Sequence, residues 1–123
     1  MRDHTKLKAF ALADRLALAV YRHTRSFPKE ETFGLTAQLR RGAVSVPSNI
    51  VEGCARYSEA DYIHFLDIAY ASTREIEYQI SLAARLGYLE GQPQHELAAL
   101  CAETGKVLAG LLRALRARAS RSD

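Results

Sequence analysis

Ser58-Glu59-Ala60-Asp61-Tyr62-Ile63-His64-Phe65-Leu66-Asp67-Ile68-Ala69-Tyr70-Ala71-Ser72-Thr73-Arg74-Glu75-Ile76-Glu77-Tyr78-Gln79-Ile80-Ser81-Leu82-Ala83-Ala84-Arg85-Leu86-Gly87 is the stretch from which the fold can be read. Tyr62, Phe65, Leu66, Ala69, Thr73, Ile76, Ile80 and Ala83 recur at three- and four-residue steps, the spacing of one helix face. Ser58 followed three residues later by Asp61 resembles a capping box, and Gly87 is the residue type that ends helices. The spacing therefore predicts a helix over 58–86. A lone amphipathic helix of this kind cannot hide its apolar stripe, so the rest of the chain must supply partners.

Working outward, Gly91-Gln92-Pro93 makes a turn, and Leu97, Leu100, Cys101, Thr104, Leu108, Leu111, Leu112 and Leu115 predict an inward face on a helix over about 93–118. Arg113, Arg116, Arg118 and Arg121 suit its C-terminal dipole. Toward the N-terminus, a helix over about 5–25 is expected, with Leu7, Phe10, Asp14, Ala17 and Tyr21 on its stripe and Leu12, Leu16, Ala19 and Val20 widening it. Phe27-Pro28 closes it. Between them, a helix within 31–56, starting at about Glu31 or Thr36, carries Leu39, Ala43, Val46 and Ile50 across Pro47. Proline removes one backbone hydrogen bond, so this second helix is expected to kink there while remaining one helix. Four amphipathic helices with short connections predict an all-α, antiparallel up-and-down four-helix bundle, with residues 1–123 as a single domain.

Composition agrees with a globular helical chain: 48% of the residues are hydrophobic, 25% are charged, and Pro and Gly are sparse. Charges occupy the opening residues where a secretory leader would need its apolar run, and no long apolar run follows, so a cytoplasmic protein is expected. Cys54 and Cys101 stand far apart without a C-x-x-C pair, which argues for two buried thiols rather than a disulfide or zinc framework. Net charge is +3, but residues 1–57 carry +5, residues 58–90 carry −4 and residues 91–123 carry +2. That asymmetry points to a basic face formed by the first half and the C-terminal tail.

Reactive constellations are scarce. Asp61, His64 and Asp67 follow at i, i+3 and i+6, but a di-metal bundle needs a second carboxylate-x-x-His turn and paired glutamates, so no metal or other cofactor is expected. Glu52 has no His, Ser or Cys partner nearby, and its expected role is a pair with Arg56 one turn on, while Asn49 bonds the interrupted backbone. The chain is therefore expected not to be an enzyme. Arg22, Arg25, Arg40, Arg41 and Arg56, with Lys29 and the tail arginines, are the candidate phosphate contacts for RNA or DNA. Arg40 and Arg41 are adjacent and so must point about 100° apart. Tyr57, Tyr70, Tyr78 and Tyr88 could stack on bases, but packing is the stronger expectation for them.

Phe33-Gly34-Leu35-Thr36-Ala37-Gln38-Leu39-Arg40-Arg41, followed by Ser45-Val46-Pro47-Ser48-Asn49-Ile50-Val51-Glu52-Gly53, resembles the four-helix bundle family of 23S rRNA intervening-sequence proteins. Phe27-Pro28, Phe65-Leu66, Glu75-Ile76-Glu77 and Leu86-Gly87-Tyr88-Leu89 extend the resemblance over roughly residues 6–112. It implies a bacterial, homo-oligomeric protein, commonly a homopentamer, without established catalytic residues. The accessory proteins of diversity-generating retroelements are similar in fold, which adds nucleic acid and a reverse transcriptase as implied partners. Pro47, Asn49, Glu52 and Gly53 match the signature as structural or interface positions. Gly42 and Val51 depart from the expected small alanines, and Tyr70-Ala71 from a basic residue and glycine.

Overall fold

A computed structural model describes residues 2–122. Its helices are α1 (Lys8–Thr24), α2 (Leu35–Cys54), α3 (Glu59–Arg85) and α4 (Gly91–Ser122), with 3-10 turns at His4–Lys6 and Lys29–Glu31. No strand occurs among the described residues. α2 packs on α3, α3 on α4, α4 on α1 and α1 on α2, while the backbones of neither diagonal pair approach closely among the described residues, so the helices occupy the corners of a square. Successive helices run antiparallel. One end of the bundle is clasped by Arg22 to Glu96 and Tyr88 to Glu31, the other by the Arg2 amide to the Cys54 carbonyl.

The four stripes close on one core. Leu16, Leu39, Val46, Ile50, Leu66, Ile76, Leu97 and Leu108 are all fully buried. At ~25 cal/mol per Å² of apolar surface, each such Leu or Ile contributes about 1.5–3 kcal/mol. On α1 the expected Leu12, Leu16, Ala19 and Val20 are buried, but the buried face is rotated away from the line through Leu7, Phe10, Asp14, Ala17 and Tyr21. Ala9, Leu12, Ala13, Leu16, Ala19 and Val20 face inward, whereas Asp14 and Leu18 point out and Tyr21 is partly exposed. Small alanines let neighbouring helices approach closely, so this buried seam is poorer in bulk than the face it displaces.

Several boundaries also shift. α1 starts at Lys8 rather than near Thr5, because Asp3 caps a separate 3-10 turn and Leu7 is extended. α2 starts at Leu35, beside the later of the two expected starts, and ends at Cys54 rather than Arg56, where the last turn tightens to a bond from the Arg56 amide to the Gly53 carbonyl, 3.1 Å. α4 begins at Gly91 and reaches Ser122, so Pro93 stands inside its first turn. Amides of a first turn have no intrahelical acceptor, which is why proline is tolerated there.

α2 continues through Pro47 as one helix. Proline supplies no donor to the Ala43 carbonyl. Asn49 braces the same turn, its Nδ2 donating to the Ser45 carbonyl at 2.8 Å and to Ser45 Oγ at 3.0 Å. Glu52 and Arg56 pair at 3.0 Å, the i to i+4 spacing expected for them. Gly53 permits the close approach of α2 and α3: a Cβ there would lie 3.0 Å from Phe65 Cβ and 3.3 Å from the Tyr62 carbonyl. In α3, Ser58 Oγ accepts from the Asp61 amide at 3.0 Å. Gly87, at φ 83°, ends the helix in a left-handed turn closed by the Tyr88 amide on the Ala83 carbonyl.

Candidate nucleic-acid interface

The expected arginines do not form one continuous patch. Arg22 runs to Glu96 of α4 and Arg40 to α1, whereas Arg41 faces the groove between α2 and α3. Arg56 lies beyond the opposite end of α2, where it pairs with Glu52 and covers the Phe65 ring. Arg40 and Cys54 are separated by about 20 Å of helix, so one phosphate group cannot span them. Of the tail arginines, Arg116 bonds Asp67 and Arg118 bonds Glu59, both across to α3. His64 is exposed beside Phe65, and Asp61 sits in the cap, so the i, i+3, i+6 series is dispersed. No group of three or more metal-ligating side chains occurs among the described residues.

What the fold does assemble is the corner where α1 ends and α2 begins. Phe27, buried, packs against Tyr88 with ring centroids 5.4 Å apart and so pins the connection to the bundle. The chain then turns through Lys29–Glu31 and leaves Phe33 outside, 96% exposed. Beside it opens a cavity of about 500 Å³ lined by Arg25, Lys29, Phe33, Thr36, Ala37 and Arg40.

Arg40 is held in place rather than waving in solvent. Its Nε donates to Thr24 Oγ1 at 2.9 Å, and its guanidinium lies 4.7 Å from the centre of the Tyr21 ring. Arg25 and Lys29 form no ion pair among the described residues. Glu31, the carboxylate best placed to neutralise them, is engaged elsewhere. Its Oε1 accepts the Leu35 amide at 3.0 Å, replacing the side-chain cap that Gly34 cannot give, and its Oε2 accepts the Tyr88 hydroxyl at 2.9 Å. Those two bonds hold Glu31 below the ordinary carboxylate range, and the same contact raises the Tyr88 phenol. Glu30 stands exposed on the same turn and offsets part of the charge. Thr36 Oγ1, in a residue only 8% exposed, has no hydrogen-bond partner among the described residues.

Neighbouring features are structural. Glu96 joins Arg22 at 3.0 Å and His23 Nε2 at 2.5 Å, and these contacts, His23 first, lower its pKa. Both cysteines are buried free thiols. Burial pushes Cys54 up and Cys101 to about 12, so neither is a thiolate nucleophile near neutrality. Tyr70 and Tyr88 pack on the core, whereas Tyr57 and Tyr78 are exposed. Phe33, which matters most here, lay in the family signature but was not singled out as an aromatic contact. Its setting between Pro28, Lys29 and Gly34 is the signal that points to it.

Among the described residues no helix is long and apolar enough to cross a membrane. Comparison with curated proteins finds no match. Among solved structures, the chain is similar to a protein of unknown function from the S23 ribosomal protein family of Bacteroides thetaiotaomicron, at 23% identity and a TM-score of 0.78, over 85% of this chain and 95% of that one. That likeness is one of fold. The family model for the 23S rRNA-intervening sequence protein matches residues 5–110, and with it the signature that runs from Phe33 through the corner and along α2. The chain belongs to the 23S rRNA-intervening sequence protein family.

Proposed function

We propose that this chain is a non-enzymatic, oligomeric helical-bundle protein of the cytoplasm that binds RNA or DNA at the corner between α1 and α2. The observation that carries the reading is Phe33, 96% exposed beside Arg25, Lys29 and Arg40. An aromatic side chain beside cations is the combination that single-stranded nucleic acid uses. Each stacked base is worth ~1–3 kcal/mol, and each neutralised phosphate makes affinity fall with salt. Fluorescence anisotropy with mixed-sequence RNA and DNA tests it. Binding at about 50 mM salt that weakens steeply by about 200 mM is expected. No binding at low salt overturns the proposal.

A second reading is a ring-forming protein-interaction scaffold that binds no nucleic acid. It is favoured by Leu18 and Tyr21 on α1 and Val44 and Val51 on α2, apolar side chains 38–61% exposed. The family resemblance adds a homopentamer, and a reverse transcriptase as protein partner. Light scattering reads assembly, which Val44→Asp with Val51→Asp should disrupt under either reading, and RNA anisotropy separates them: only the first reading binds RNA and loses affinity when the corner cations are removed.

A further inference from the structure

We propose that the groove between α2 and α3 binds a guanine base by its hydrogen-bonding edges. The site is separate from the corner and stands whether or not the corner binds phosphate. Its centre is Gln79, 6% exposed, whose Oε1 has no hydrogen-bond partner among the described residues. A buried carbonyl left unbonded destabilises the fold, so a ligand donor that reaches it gains what the bundle alone does not. Around it opens a cavity of about 320 Å³. Arg41 and Glu75 both line this space, yet they form no ion pair with each other or with any other described residue. The Ser45 and Ser72 hydroxyls, 3.0 Å apart, complete the polar wall.

The chemistry of the lining selects the ligand. An anion is repelled by Glu75 and leaves the Gln79 Oε1 acceptor unmet. A cation is repelled by Arg41. The groove instead suits a neutral, flat group that carries donors on one edge and acceptors on the next. Guanine has that pattern: its N1–H and 2-amino hydrogens face a carboxylate, and its O6 and N7 accept the two-pronged guanidinium. In this arrangement Glu75 takes N1–H and one 2-amino hydrogen, Gln79 Oε1 takes the other, and Arg41 binds O6 and N7. Adenine lacks the paired donors, and hypoxanthine lacks the 2-amino group, so each loses part of the set.

Calorimetric titration of the intact chain with GMP, IMP and AMP forms one arm of the test. Anisotropy of a short oligonucleotide holding a single guanine or a single hypoxanthine forms the other. Guanine is expected to bind roughly tenfold more tightly than hypoxanthine, with adenine weaker still. Glu75→Gln should erase the preference. Glu75 is exposed, so the variant should melt as the parent does. A preference in both arms identifies free guanine nucleotide as a source, and a preference in the oligonucleotide alone identifies a base within a strand. Equal binding of guanine and hypoxanthine in both arms, or no binding in either, overturns the proposal.

Discussion

The two ends of the bundle treat their exposed cations differently. At the end where α2 finishes, arginines are consumed inside the molecule: Arg56 by Glu52 and Phe65, Arg116 by Asp67, Arg118 by Glu59, and Arg2 by the Arg56 carbonyl and the Tyr62 ring. At the corner where α2 begins, Arg25 and Lys29 lack ion-pair partners among the described residues, Glu31 is occupied, and Phe33 stands bare. The difference teaches that a basic count marks neither end as a binding surface. What matters is whether the fold supplies a carboxylate to each cation.

The sharpest way to break the comparison is to neutralise each end in turn. Arg25→Gln with Lys29→Gln should lower RNA affinity on the order of a hundredfold at about 50 mM salt, whereas Arg116→Gln with Arg118→Gln should leave it within about twofold. The second pair should instead cost up to about 1 kcal/mol per ion pair, since these pairs lie in solvent. Anisotropy and thermal melts read both outcomes. Stability at the far end is more sensitive to space than to charge. Gly53→Ala places a Cβ against Phe65 and the Tyr62 backbone and should cost about 1–3 kcal/mol in chemical denaturation, with RNA binding unchanged per folded molecule.

Phe33→Leu sharpens the corner from the other side. It should reduce affinity for single strands by about tenfold and leave duplex affinity and the melting temperature unchanged, because the ring touches solvent rather than the core. Thr36→Val should be neutral or stabilising by up to about 1 kcal/mol, since it replaces an unpartnered buried hydroxyl with a methyl of the same shape. The smallest effect is on pH. Glu31 and Glu96 have lowered pKa values in the fold, so their stabilisation is present above about pH 4.5 and is lost as pH falls through their folded values. Glu31→Gln should flatten that acid limb in a series of melts.

Much of this architecture could be read from spacing alone. The α3 stripe from Tyr62 to Ala83 and the Ser58 cap have the period and the cap chemistry of a long helix, and the structure places them there. α1 was harder because bulk misleads. Tyr21 is large and outside, while Ala9 and Ala13 are small and inside. The arginine candidates Arg25 and Arg40 meet at the corner, while Arg56 makes the pair with Glu52 that their spacing of one helical turn already indicates. Gln79 and Thr36 were invisible as polar orphans, because burial of a side chain and loss of its partner are properties of packing rather than of sequence.

The most direct test is the salt dependence of single-stranded RNA binding, measured on the parent chain and on Arg25→Gln with Lys29→Gln. The slope of log affinity against log salt should become shallower by about 1.4 when these two charges are removed, from ~0.7 per phosphate contact on a single strand. An unchanged slope would mean that phosphates are met elsewhere on the bundle, and would contradict the account.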